Sequence, residues 1–141
     1  MSEVFFCDNV DDDALKFAVV VSRHEGKWVF CKQKGKSTYE VPGGHRENGE
    51  NIEETARREL HEETGAARFR LTPVSVYGVR GSDGGTTFGM LYFAEIQEFF
   101  ALPDFEMERI EFFDGVPGEL TYPDLQPALM KKVQEFLSSQ Q

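Results

Sequence analysis

The sequence predicts a mixed α/β (α+β) protein in which a β-sheet lies between two helices, an α/β/α sandwich. Three observations predict it. Short runs of β-branched and aromatic residues recur along the chain, among them Val19-Val20-Val21, Phe99-Phe100 and Phe112-Phe113, and turn residues separate them. A helix-forming segment near the middle ends at a glycine. A second helix near the end carries an apolar stripe with a spacing of four. Strands interleaved with two helices fit a layered fold built around one core.

The elements follow in order. Residues 1–15 read as a polar lead-in. Its acidic stretch, with Asp8, Asp11, Asp12 and Asp13, lacks the Gly and the closing Glu of a calcium loop. Residues 16–22 read as a strand, Glu25-Gly26 as a turn, and 27–32 as the returning arm of a hairpin. Gly35 marks another turn, 37–41 a short extended piece, and Pro42-Gly43-Gly44 its end. Helix signals run from Asn51 to Thr64, with Gly65 as the stop. Residues 70–80 and 86–98 read as strands joined by a glycine-rich hairpin loop at 81–85, and 109–113 as another strand. Pro123 opens the last helix, whose stripe is Leu125, Leu129, Val133 and Leu137.

A length of 141 residues suits one domain, read here as residues 1–141. A net charge of −10 argues against non-specific binding to nucleic acid or to a membrane, since either needs a basic surface. No apolar run approaches the roughly 18 residues of a membrane span. The N-terminus lacks the basic-then-apolar order of a signal peptide. Cys7 and Cys31 have no metal-ligand spacing and read as reduced thiols, which points to a cytoplasmic protein.

The chemistry concentrates between Gly44 and Ala66. At about 100° per residue, Ile52, Ala56 and Leu60 share one side of the helix with Glu59, Glu62 and Glu63. Glu54, Arg57 and His61 point the other way. The face that should pack on the sheet therefore turns acidic in its last two turns, a break in local pattern of the kind found at functional sites. Glu62 and Glu63 also occupy the helix C-terminus, where the dipole disfavours negative charge. A divalent cation would reverse both penalties, and hard carboxylate oxygens suit Mg²⁺ or Mn²⁺. A solvated helix with Glu54–Arg58 and Arg58–Glu62 pairs is the competing reading of the helix alone.

The flanking residues separate these readings. The stretch Gly44, Glu50, Arg58-Glu59-Leu60, Glu62-Glu63 and Gly65 resembles the box of the Nudix hydrolases, G-x5-E-x7-R-E-U-x-E-E-x-G-U, in which U is bulky and aliphatic. Eight of its nine defined positions match, and Ala66 departs by being small. The hairpin before the box, the Tyr39 to Gly44 lead-in, the later strands and the last helix follow the family's order as well. The resemblance implies a Nudix-type sandwich and a Mg²⁺- or Mn²⁺-dependent pyrophosphohydrolase acting on a nucleotide-type diphosphate. It implies Glu59, Glu62 and Glu63 as metal ligands, with the Gly44 carbonyl as a further one. Arg58 would orient these carboxylates, and Glu50 would anchor the loop through Arg58 or reach an outer metal. Ala66 would loosen the packing against the sheet without loss of chemistry.

The base that takes the proton of the attacking water varies among family members. Glu106 stands where many relatives place it, with Glu108 and Glu111 as competitors. Lys32, Lys34 and Lys36 are candidate phosphate contacts or a solvated turn. Gly43 and Gly44 would let a substrate approach the backbone. Arg80 and the 81–85 loop are candidate rim residues. Tyr39, Phe88 and Tyr92 would stack on a base or pack in the sheet. An oxidised (d)NTP is one substrate the resemblance suggests, and an RNA 5′ end is another. A monomer or homodimer fits the family. A non-catalytic nucleotide-sensing module is the alternative function, but such modules typically lose box carboxylates.

Overall fold

The computed structural model describes residues 3–103 and 106–140, so the outermost residues of the predicted domain, 1, 2 and 141, lie outside it. The strands are β1 (Glu3–Cys7), β2 (Leu15–His24), β3 (Lys27–Gln33), β4 (Tyr39–Glu40), β5 (Gly43–His45), β6 (Ala66–Arg80), β7 (Thr86–Phe99) and β8 (Met107–Phe113). The helices are α1 (Ile52–Thr64) and α2 (Gln126–Ser139). Among the described residues the strands form one mixed sheet in the order β1-β6-β7-β2-β3-β4, with β5 paired to β2 and β8 to β3. The β2–β7 pair is parallel.

Strand β2 explains the layers. Side chains alternate across a strand, and both faces of β2 are covered. Ala18 and Val20 pack with Ala56 and Leu60 of α1. Val21, with Val19 beside it, packs with Leu129, Met130 and Val133 of α2. An unbroken valine run is what a strand buried on both faces requires. Leu125 and Leu137 flank the α2 core, so the predicted stripe faces the sheet.

Helix α1 has a complete capping box. The Asn51 side chain accepts from the Glu54 N–H at 2.8 Å, and the Glu54 carboxylate accepts from the Asn51 N–H at 2.8 Å. Gly65 ends the helix at φ 79°, and a Cβ there would lie 2.7 Å from the Phe100 carbonyl oxygen. Both constraints require glycine.

Three expectations are corrected. The lead-in contains strand β1, which pairs antiparallel with β6. Phe5 sets its ring against Phe88, and Phe6 packs on the α2-side core. Five residues beside an acidic run show too little periodicity to reveal such an edge strand. Strand β6 begins at Ala66, because the left-handed Gly65 turns the chain straight into pairing with Phe99. Helix α2 begins at Gln126, after a turn in which the Leu125 N–H donates to the Tyr122 carbonyl. Pro127, rather than Pro123, stands in the first helical turn, where its missing N–H has no helical partner to lose.

The sheet splits at β2. Its first half pairs with β5 through Phe17, Ala18 and Val19, and its second half pairs with β3 through Ser22, Arg23 and His24. The chain crosses from β4 to β5 at Pro42, whose carbonyl accepts from the Val20 N–H at 2.9 Å. This parting of strands opens the sheet beside the C-terminal half of α1.

Candidate active site

The parted strands and the two helices enclose a cavity of about 740 Å³. Gly43, Gly44 and His45 of β5 wall it, together with Arg58, Glu59, Glu62 and Glu63 of α1. At Gly44 an added Cβ would sit 2.6 Å from the Glu59 carboxylate, so the closest approach of strand to helix depends on a missing side chain. On the other side of this contact the Gly43 N–H donates to Glu63 Oε1 at 2.8 Å.

Arg58 organises the acidic turns. Its Nε donates to Glu50 Oε2 at 2.6 Å and its Nη2 to Glu50 Oε1 at 3.1 Å, a bidentate pair. Nη1 donates to Glu59 Oε1 at 2.7 Å and to Glu62 Oε1 at 3.4 Å. Nη2 also reaches the His45 carbonyl at 3.1 Å. Arg58 holds the Glu50 carboxyl down at about 2, aided by the Glu47 N–H and the Thr55 hydroxyl. Glu50 does not line the cavity. It stands behind Arg58, paired with that guanidinium.

Glu63 behaves in the opposite way. It is 9 % exposed, and burial pushes its carboxyl up to about 9 against the help of the Gly43 N–H, with Glu59 and Glu40 adding repulsion. Burial also raises Glu59, against the pull of Arg58. This makes stability depend on pH. Below the ordinary carboxyl value of 4.5 both folded and unfolded chains hold the Glu63 proton. Above it the unfolded chain releases that proton and the folded chain keeps it, so stability falls as pH rises toward about 9. In chelator, the melting temperature is therefore expected to decline steadily from about pH 5 to pH 9. A flat profile over that window would contradict the assignment.

The other predicted residues divide. Glu106 lies at the cavity, where the Gln33 amide donates to its Oε2 at 3.3 Å. Glu108 and Glu111 face away and pair with Arg109. Lys32, a candidate phosphate contact, does not line the cavity; its Nζ donates to Glu108 Oε1 at 3.1 Å. Neither Lys34 nor Lys36 lines the cavity. Arg80 pairs with Glu3 and lies over the Phe5 ring rather than at the rim. Tyr39 packs edge-on against Phe113, and Tyr92 is buried on the α1 side. Phe88 packs on Phe5.

The aromatic walls are instead Phe17, Tyr77 and Tyr122. Sequence reading also missed Glu40 and Gln126, both buried polar residues at the cavity. The signal for Gln126 was a polar residue on the same helix side as Leu129 and Val133. The signal for Glu40 was a carboxylate next to the apolar Val41 in a two-residue strand.

Comparison with known proteins identifies the family. The NUDIX domain model matches residues 13–128. A relative is YtkD of Bacillus subtilis (strain 168), described as a candidate 8-oxo-dGTP diphosphatase. It is 33 % identical over 120 residues, covering 84 % of this chain and 75 % of that one. An ADP-ribose pyrophosphatase of the same organism is 41 % identical over 64 residues, 43 % of this chain and 35 % of that one. A point mutant of the Bacillus subtilis pyrophosphohydrolase BsRppH superposes with a TM-score of 0.78 at 29 % identity, covering 95 % of this chain and 90 % of that one. The chain belongs to the Nudix family of hydrolases.

Proposed function

We propose that this Nudix hydrolase is a divalent-metal-dependent pyrophosphohydrolase that cleaves a phosphoanhydride bond in a nucleotide-type substrate. The observation that carries it is the placement of the buried Glu63 and the half-buried Glu59 side by side against the glycine strand Gly43-Gly44. Burying charge beside like charge is unfavourable unless a cation offsets it. Among the described residues no three ligating side chains already stand together as a finished site. The reason is visible in Arg58, which draws Glu59 and Glu62 onto its own guanidinium. The donor set nevertheless fits, because carboxylate oxygens with open space beside them suit Mg²⁺ or Mn²⁺.

Glu59, Glu62 and Glu63 would hold the metal, with the Gly44 carbonyl as a neutral ligand. A bound divalent cation supplies charge neutralisation at phosphate oxygens and a more acidic water. The residues of the chain do the rest. Arg58 orients Glu59 and Glu62, and the Gly43 N–H fixes Glu63. Glu106 accepts the proton of the water that attacks phosphorus, and the anhydride oxygen leaves with its electron pair. From a nucleoside triphosphate the products are a monophosphate and pyrophosphate.

The named relatives support a nucleotide-type substrate, since one is described as acting on 8-oxo-dGTP and another on ADP-ribose. Retention of every box carboxylate favours catalysis over nucleotide sensing. The unpaired Cys7 and Cys31 accord with a reducing, cytoplasmic setting, and the whole chain is read as one domain. The test is a panel of nucleoside di- and triphosphates and ADP-ribose at mildly alkaline pH. Phosphate or pyrophosphate release is expected with Mg²⁺ or Mn²⁺ and is expected to stop in chelator. Failure to cleave any member, or cleavage unaffected by chelator, would refute the proposal.

A further inference from the structure

Strand β8 is an edge of the sheet. Among the described residues it pairs with β3 alone, so one side of its backbone faces outward, where a further strand can pair. Its residues are Met107, Glu108, Arg109, Ile110, Glu111, Phe112 and Phe113. The side chains of Arg109 and Glu111 are 44 % and 38 % exposed. They share a face, and Arg109 Nε donates to Glu111 Oε1 at 3.3 Å. Ile110 and Phe112 take the other face. Ile110 packs against the α1-side core, and the Phe112 ring, 43 % exposed, lies against His24 and Phe99.

The occupant that fits this edge is a second copy of the same strand. Two identical antiparallel strands related by a twofold axis pair each residue with the one equally far beyond a central residue. The centre falls on a residue, not between two, because outward-facing backbone groups recur at every second position. Centring on Glu108, Arg109 or Glu111 sets that charge against its own copy, which is unfavourable. Centring on Met107, Phe112 or Phe113 leaves most of the strand unpaired. Ile110 is the midpoint of β8, so centring there pairs the whole strand. It also sets Arg109 of each copy opposite Glu111 of the other, two opposite-charge pairs in one contact. On the other face Ile110 meets its own copy, and Phe112 lies diagonal to Ile110 of the other copy. Glu108, already paired with Lys32, faces Phe112. The opposite edge of the sheet, β1, carries Glu3 as its one charge and has no such register.

We infer that the protein forms a symmetric homodimer by antiparallel pairing of β8 with β8 about Ile110, which joins the two sheets edge to edge. This inference goes beyond hydrolysis and does not depend on it. Charges on an edge strand commonly hold copies apart. Here the order of the charges rejects the other registers and favours one. Each copy carries a net charge of −10, so two copies repel as wholes, and contact needs a strip that is locally complementary. The Arg109–Glu111 strip supplies it. A twofold contact of this kind uses both β8 edges, so assembly closes at the dimer.

The test is sedimentation equilibrium of the wild type, Arg109→Glu, Glu111→Arg and the double reversal, with circular dichroism to check folding. A wild-type dimer is expected at roughly 100 μM chain. By symmetry each single reversal sets like charges opposite each other twice, so the dimer Kd should rise at least about tenfold. The double reversal restores both pairs and should return the Kd to within about threefold of the wild type. Loss of the Arg109–Glu111 contact within one chain would lower the melting temperature of a single variant but would not by itself change its association. Should a single reversal fail to fold, amide hydrogen exchange of the wild type decides instead. The outward-facing N–H groups of residues 107–113 should exchange more slowly at roughly 100 μM than at roughly 1 μM, because pairing protects them. A wild type that stays monomeric at the higher concentration would overturn the inference. So would a dimer indifferent to the single reversals, a double reversal that fails to recover association, or β8 exchange independent of concentration.

Discussion

Glu63→Gln is expected to lose at least about a hundredfold in turnover while remaining folded, with a metal-free melting temperature equal to or above that of the wild type. The two halves of this expectation come from the same geometry. Glu63 lies against β5, with its Oε1 on the Gly43 N–H at 2.8 Å, and a glutamine carbonyl can accept that bond at the same place. What the substitution removes is the ionisable carboxyl, which the metal-free fold must keep protonated at neutral pH while the unfolded chain releases its proton. Burial already pushes the carboxyl up to about 9, so without a cation the charged form opposes folding near neutral pH. The charge is therefore of no use to the metal-free fold, and its retention implies a ligand that needs it. Stability and activity should move in opposite directions, as they do where a site is kept at a cost to the scaffold. The stabilisation that millimolar Mn²⁺ gives the wild type should shrink in the variant. Wild-type-like turnover in a well-folded Glu63→Gln protein would remove Glu63 from the site.

The same residue shows how far the sequence could be read. Its helix was legible because α1 carries its own start and stop signals, Asn51 with Glu54 at one end and Gly65 at the other. The acidic face was legible because helical periodicity is local: Glu59, Glu62 and Glu63 fall on the side of Ala56 and Leu60 wherever the helix docks. Strand β1 was illegible for the reverse reason, since its place depends on pairing with β6 across more than seventy residues. Lys32 illustrates the limit for charges. Its position before the box is visible in the sequence, but its partner Glu108 comes from β8, which is brought beside β3 only by the sheet. Glu40 and Gln126 were missed together. Each looks like an ordinary polar residue until β4 and α2 close on the same cavity.

Arg58→Met should be the most destabilising single change in the box, at a cost on the order of 3 kcal/mol, which in a chain of this size is a fall of roughly 6–12 °C in melting temperature. Methionine keeps much of the aliphatic stem, so the loss reports on the guanidinium. That group joins Glu50, Glu59, Glu62 and the His45 carbonyl, and its removal leaves three partly buried carboxylates without their shared cation. The pH profile separates this cause from lost packing. Because Glu50 is held at about 2, its stabilisation is fully present above 4.5 and disappears as pH falls toward 2. The gap in melting temperature between wild type and Arg58→Met should accordingly be wide at pH 6 and narrow by about pH 2–3. A gap of constant width would assign the loss to packing of the stem instead. Magnesium should recover part of the loss in the variant. A cation at the carboxylate cluster can neutralise Glu59 and Glu62 in place of the arginine, whereas Glu50 lies outside the cavity and stays unpaired.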